Sequence, residues 1–221
     1  MDLLSKPREA YPPVQVSRLG VVGGTFDPPH YGHLVLAENA RMQLALDAVL
    51  FVPAGQPPHK PAAPITAAQH RVAMVQAAIA SNPAFLLSRV DLERSAPHYT
   101  VDMLAIVTEI YRSAELFFLM GGDSLAEFAG WRNPSGIVEL ATLVVMERPG
   151  WRGDLATLAE QIPALPDRLR MLDAPRIGLS GTDLRRRSRM GLPLRYLVPP
   201  AVERYVRECR LYQPQVSSPR P

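Results

Sequence analysis

Hydrophobic and polar positions form a regular pattern between residues 18 and 209. Short apolar runs that end in Gly, Pro or a charged residue predict strands, and longer stretches with apolar residues three or four positions apart predict helices. The predicted strands cover residues 18–24, 48–54, 84–90, 115–121, 141–148 and 168–175. The predicted helices cover residues 33–46, 66–80, 100–112, 181–190 and 199–209, with Thr66 and Thr100 as N-caps of the second and third.

This alternation of strands and helices predicts an α/β fold. Helices of ten or more residues between strands indicate βαβ units, so we expect a single Rossmann-like, doubly wound parallel sheet with a C-terminal helical segment. Residues 17–212 are predicted to form one domain, between a flexible N-terminal extension (1–16) and a flexible tail (213–221). Ligands of such sheets bind beyond the carboxyl ends of the strands, so residues that follow strands are the candidates for chemistry.

Composition excludes several classes of function. The net charge of +3, from 24 basic and 21 acidic residues, is too small to indicate a nucleic-acid partner. The one cysteine, Cys209, cannot form an intrachain disulfide. The N-terminus lacks the apolar stretch of a signal peptide, and no run of about 18 apolar residues is present, so we expect a cytoplasmic protein without a membrane segment.

The first strand is followed by GGTFDPPHYGH, residues 23–33. Gly23 and Gly24 allow a sharp turn and a close approach to a ligand, and the next helix is predicted to begin near residue 32 or 33. Phosphate binds readily at a helix N-terminus, where His30 and His33 could each donate a hydrogen bond. A metal site and a simple corner are the alternatives; Asp27 is close, but no His or Cys cluster completes a metal site, so no metal ligand is predicted.

Two motifs resemble a known superfamily. Residues 30–33 resemble the H-x-G-H signature of the nucleotidyltransferase α/β-phosphodiesterases, which transfer a nucleotidyl group from a nucleoside triphosphate to an acceptor and release pyrophosphate. Residues 177–185, IGLSGTDLR, resemble the superfamily's second signature, I-S-S-T-x-[IL]-R, with Gly181 in place of the usual serine. The resemblance implies that Ser180, Thr182 and Arg185 contact phosphate.

Four further segments resemble the bacterial nicotinate-nucleotide adenylyltransferases, so that the similarity spans residues 18–207. They are PPHK (57–60), LERSAPHYTVDML (92–104), FFLMGGDSLAEFAGW (117–131) and YLVPPAVERYV (196–206). His98 stands where this family commonly has serine. The implied reaction is ATP plus nicotinate mononucleotide giving deamido-NAD and pyrophosphate, with Mg²⁺ accompanying ATP. No general base is required, because the acceptor phosphate is already a nucleophile near neutral pH.

The resemblance also implies a role for each candidate residue, with ATP and nicotinate mononucleotide as partners and neither nucleic acid nor membrane. Asp123 is expected to bond a ribose or adenine, or else to cap a helix over 124–129. Backbone N–H groups around Trp131 and Arg132 are expected to favour the carboxylate of nicotinate over the amide. The full expected set is catalytic His30, His33 and Arg185; ATP-binding Gly23, Gly24, Thr25, Phe26, Lys60, Gly121, Asp123, Ser180 and Thr182; and nicotinate mononucleotide-binding Thr100, Trp131 and Arg132.

Several alternatives stay open at this point. The acceptor could be nicotinamide mononucleotide or another phosphate such as phosphopantetheine. A cytidylyltransferase would keep the fold, although the segment 121–131 argues against it. A non-catalytic nucleotide- or RNA-binding regulator would be expected to have a broken motif, and both motifs are intact. The basic run 185–189 favours a solvated helix face, and the sequence leaves open whether the chain forms a homo-oligomer.

Overall fold

The sheet of this protein has six parallel strands. In the computed structural model, which describes residues 15–56, 65–147 and 154–213, they lie in the order β3-β2-β1-β4-β5-β6. The strands are β1 (Arg18–Gly24), β2 (Ala48–Pro53), β3 (Phe85–Leu87), β4 (Glu115–Gly121), β5 (Thr142–Met146) and β6 (Leu169–Leu172). All six are predicted from the sequence, and the doubly wound α/β fold is confirmed.

Helices cover both faces of the sheet and leave two hydrophobic cores. Side chains alternate between the faces, so Val21 of β1 lies in one core and Val22 in the other. Helix residues of α4 and α6 pack in the first core, and those of α1, α2, α8 and α9 in the second. The helices are α1 (Tyr31–Gln43), α2 (Ala68–Ile79), α3 (Val90–Glu93), α4 (Thr100–Ile110), α5 (Gly122–Ala126), α6 (Pro134–Leu140), α7 (Leu155–Gln161), α8 (Gly181–Arg189) and α9 (Pro200–Glu208).

Two predicted helix caps are wrong. The N-cap of α2 is Ala67, and the backbone N–H of Thr66 donates instead to the Asp27 carboxylate at 3.1 Å. The N-cap of α4 is Tyr99, and Thr100 is the first helical residue. Helix α1 begins at Tyr31, two residues before the predicted start. Helices α3, α6 and α7 were not predicted, because four to seven residues are too few to establish a helical period.

The carboxyl ends of β1 and β4 form the topological switch point of the sheet. Strand β1 pairs with β2 on one side and with β4 on the other, so the chain leaves these neighbouring strands in opposite directions. A cleft opens at such a point, and it is where doubly wound folds bind ligands. Within the described ranges, no helix has the length and apolar character needed to cross a membrane.

Candidate active site

A cleft with a volume of about 460 Å³ opens at this switch point. Every predicted site residue that the structure describes lines it; Lys60 lies outside the described residues. The lining includes Gly23, Gly24, Thr25, Phe26, His30, His33, Thr100, Gly121, Asp123, Trp131, Arg132, Ser180, Thr182 and Arg185.

The two histidines of the first motif form a stacked pair. His30 is the N-cap of α1 and is buried, with its ring centroid 3.8 Å from that of His33. The backbone N–H of His30 donates to Nδ1 of His33 at 3.2 Å. Because Nδ1 accepts this bond, the proton of the neutral His33 ring is on Nε2, which can donate to a ligand.

The N-terminus of α1 offers fewer backbone donors than the sequence suggested. The N–H of Tyr31 donates to the carbonyl of Leu197 at 3.2 Å, and that of His33 to the carbonyl of His30 at 3.0 Å. These two backbone N–H groups are therefore engaged within the protein, and Nε2–H of His33 is a donor that this end of the helix can present to the cleft.

The second motif begins α8 at the same cleft. Ser180 is the N-cap, and its Oγ accepts the backbone N–H of Asp183 at 3.2 Å. Gly181 and Thr182 follow in the first turn, where backbone N–H groups have no acceptor within the helix. This helix end presents a partial positive charge and N–H donors to an anion in the cleft.

The two motifs meet at Asp27 and Arg185. Nη1 of Arg185 donates to the backbone carbonyl of Asp27 at 2.7 Å, and Nη2 donates to Oγ1 of Thr182 at 3.2 Å. A Cβ atom on Gly181 would lie 3.0 Å from the Asp27 carbonyl oxygen and 3.3 Å from Nη1 of Arg185. The glycine that replaces the usual serine thus stands at the tightest point of this contact.

The Asp27 side chain is buried in a polar cluster that the sequence did not predict. One carboxylate oxygen accepts the hydroxyl of Tyr212 at 2.6 Å, the other accepts the N–H of Thr66, and Nη1 of Arg185 lies 4.0 Å from the second oxygen. Burial and the adjacent Asp27 charge raise the pKa of Tyr212 far above its usual value, so the hydroxyl stays protonated and donates.

Arg71 of α2 is a second residue that the sequence did not single out. It is 3% exposed, and its guanidinium donates to the carbonyls of Thr66, Thr25 and Ala54 at 2.9, 3.0 and 2.7 Å. Burial lowers the pKa of Arg71, although an arginine remains charged near neutral pH. Arg71 therefore joins the loop after β1 to the loop after β2.

The other end of the cleft is aromatic. The indole of Trp131 packs edge-on against Phe128, with centroids 5.5 Å apart, and the Arg132 guanidinium lies 5.9 Å from the Tyr99 ring centre. The N–H of Trp131 already donates to the carbonyl of Phe128 at 3.0 Å. The N–H of Trp131 is therefore engaged within the protein, and Arg132 is the candidate that remains for the predicted carboxylate selection.

A buried ion pair supports the segment before α4. Nε of Arg94 donates to Asp91 at 2.6 Å, and the N–H of Gly55 donates to the other Asp91 oxygen at 2.9 Å. Nδ1 of His98 lies 3.7 Å from that second oxygen. Arg94 also donates to the carbonyl of Tyr99 at 3.0 Å, so the pair fixes the chain just before Thr100.

Asp123 does not cap a helix, which was one of its two predicted roles. Helix α5 begins at Gly122 with Gly121 as its N-cap, so Asp123 lies in the first turn and the capping prediction is wrong.

A metal site was one alternative for the first motif. Across the described ranges, no three His, Cys, Asp or Glu side chains are grouped so as to hold a metal ion.

Comparison with known proteins relates the chain to one group of enzymes. Residues 21–187 match the model of the family described as cytidylyltransferase-like. The chain is 48% identical over 198 residues to a probable nicotinate-nucleotide adenylyltransferase of Thermomicrobium roseum, covering 90% of this chain and 92% of the relative. It is 44% identical over 197 residues to a similarly named protein of Corynebacterium kroppenstedtii, covering 89% and 92%.

A solved structure gives the same picture of the fold. Nicotinic acid mononucleotide adenylyltransferase of Plasmodium falciparum, complexed with NaAD, superposes with a TM-score of 0.73 at 18% identity. The superposition covers 89% of this chain and 97% of the other.

Proposed function

The chain belongs to the cytidylyltransferase-like family and, within it, to the nicotinate-nucleotide adenylyltransferases, and on this premise we propose that it transfers the AMP moiety of ATP to nicotinate mononucleotide. As a member of this family it is a nucleotidyltransferase. The products of the proposed reaction are deamido-NAD and pyrophosphate, in the biosynthesis of NAD. One observation carries the proposal: the stacked His30–His33 pair and the N-terminus of α8 line the same cleft, and a hydrogen bond from Arg185 joins the two motifs.

These groups suit the transfer of a nucleotidyl group from one anionic substrate to another. The phosphate of the acceptor attacks the α-phosphorus of ATP in line, and pyrophosphate leaves on the opposite side. Nε2–H of His33, the His30 ring and the Arg185 guanidinium stabilise the negative charge that develops on the phosphate oxygens. Holding both reactants in this geometry contributes roughly 7–11 kcal/mol to lowering the barrier. No side chain has to accept a proton from the acceptor.

Mg²⁺ would enter this cleft bound to ATP. In nucleotide sites the ion is held mainly by phosphate oxygens, water and one or two carboxylates, and a dedicated protein cage is uncommon. The described residues contain no group of three His, Cys, Asp or Glu side chains that could form such a cage. The phosphate oxygens of the substrate would therefore hold the ion. When bound, Mg²⁺ supplies positive charge next to the leaving pyrophosphate.

The aromatic end of the cleft supports a pyridine nucleotide as acceptor. The indole of Trp131 offers a face on which a pyridine ring can stack, and Thr100 lies at the start of α4 beside the same space. Arg132 would bind the nicotinate carboxylate, whereas the amide is uncharged and carries an NH₂ donor in place of one acceptor oxygen. A site built for a charged group rejects a neutral analogue strongly, because a donor of the site then faces a donor of the ligand.

Pyrophosphate release tests the proposal. Purified protein is assayed with ATP and Mg²⁺ together with nicotinate mononucleotide, its amide or phosphopantetheine at matched concentrations. A kcat/KM at least tenfold higher for the acid than for the amide supports the proposal. Equal use of acid and amide would remove the carboxylate-selective site, and release with phosphopantetheine alone would replace the acceptor.

A further inference from the structure

The chain returns to the first phosphate motif after its last helix. Leu211 and Tyr212 follow α9 and pack against the core that also contains Phe26. Tyr212 adopts φ of +66°, a left-handed conformation that is unfavourable for a residue with a large side chain. Its hydroxyl nevertheless reaches Asp27, 185 positions earlier, at 2.6 Å. An unfavourable backbone conformation that persists next to a site suggests a functional requirement.

The hydroxyl of Tyr212 is held as a donor. Burial and the Asp27 carboxylate both raise its pKa, so the proton stays on the oxygen and points to the carboxylate. The Asp27 side chain is 2% exposed, so water cannot easily replace a lost partner. A bond from a neutral donor to a buried carboxylate is stronger than one between neutral groups.

The position of Asp27 in turn sets the position of Arg185. The Asp27 backbone carbonyl accepts Nη1 of Arg185 at 2.7 Å, and the carboxylate lies 4.0 Å from the same nitrogen. Arg185 is partly exposed, with 22% of its side chain accessible, and it lines the cleft beside Thr182, to which its Nη2 donates. We propose that Tyr212 is a positioning residue that acts through Asp27 to orient Arg185 toward the triphosphate of ATP; this inference rests on the proposed function.

Tyr212→Phe tests this role, with Tyr205→Phe as the matched control. Tyr205 lies in α9, and its hydroxyl bonds Nδ1 of His70 at 3.0 Å, away from Asp27. Both variants lose one buried or half-buried tyrosine hydroxyl and keep the ring. We expect Tyr212→Phe to raise KM for ATP about tenfold and to leave KM for nicotinate mononucleotide unchanged, while Tyr205→Phe leaves both KM values at the wild-type value.

Comparing the change in KM for ATP with the change in KM for nicotinate mononucleotide separates a positioning role from a loss of folded protein. A merely structural role would lower kcat in proportion to the unfolded fraction and would leave KM for ATP unchanged, which would overturn the inference. An equal effect of the two tyrosine variants on ATP would overturn it as well.

A double-mutant cycle and a binding measurement make the test independent of turnover. If Tyr212 acts through Arg185, Tyr212→Phe has less than a threefold effect in an Arg185→Lys background; a full tenfold effect there would contradict the route through Arg185. Kd for a non-hydrolysable ATP analogue, measured by calorimetry, is expected to rise about tenfold in Tyr212→Phe. If the wild type binds the analogue but releases no pyrophosphate, the proposed function fails while the ratio of Kd values still decides the role of Tyr212.

Discussion

Replacing Arg71 with methionine removes a buried side chain that joins the loops after β1 and β2. The guanidinium makes three bonds of 2.7–3.0 Å to the carbonyls of Thr25, Ala54 and Thr66. A buried acceptor left without a partner costs about 1–3 kcal/mol, so three of them would cost about 3–9 kcal/mol. Part of this is recovered, because the cost of burying the charge also disappears. We expect a net loss of about 3 kcal/mol.

Thermal and urea unfolding measure this loss. For a domain of this size, 1 kcal/mol corresponds to roughly 2–4 °C in Tm, so Arg71→Met should unfold about 6–12 °C below the wild type. The matched control is Arg112→Met, because the side-chain bonds that Arg112 makes within the described residues go to nearby Glu109 and 75% of its side chain is exposed. A Tm for Arg71→Met within 2 °C of that control would refute the assignment of Arg71 as the link between the loops.

Three further predictions follow from particular contacts. A Cβ on Gly55 would lie 2.4 Å from the His98 ring, so Gly55→Ala should cost about 1–3 kcal/mol and His98→Ser in the same chain should recover most of it; equal losses in both backgrounds, measured by urea unfolding, would contradict the clash. Trp131→Leu should raise KM for nicotinate mononucleotide about tenfold with KM for ATP unchanged, and a rise in both would argue against stacking on the pyridine. The bond from Arg41 lowers the pKa of Glu38 below its usual 4.5. The wild type should therefore be more stable than Glu38→Gln at about pH 7, and this difference in stability should disappear as pH falls through the lowered pKa. A difference that persists at about pH 2 would rule this out.

Most of the sheet could be predicted from the sequence because strands such as β2, β4 and β5 are buried on both faces. Buried parallel strands appear as short apolar runs, and glycine or proline marks where β1, β2 and β4 end. The strand at residues 84–90 was predicted too long, because only Phe85–Leu87 pairs with β2 and the chain turns into α3. Short helices such as α6 depend on tertiary packing and on a local cap at Asn133, which no periodic pattern reveals.

The residues of the candidate site also fall into two groups, those that the sequence reveals and those that only the fold reveals. The resemblance located His30, His33 and Arg185, because motif residues are recognisable one by one. It could not reveal that Arg71 bonds the loops after β1 and β2 or that Tyr212 bonds Asp27, since these partners are backbone carbonyls and a carboxylate far away in the sequence. Such contacts depend on the fold as a whole.

The rate of deamido-NAD formation from ATP and nicotinate mononucleotide, compared between wild type, His33→Ala, Arg185→Ala and the double variant, tests the central claim most directly. The proposed mechanism has the two motifs act on one triphosphate, so each single variant should lose about 10²-fold or more in kcat, and the double variant should lose much less than the product of the two. Turnover at the wild-type rate in either single variant would contradict the account.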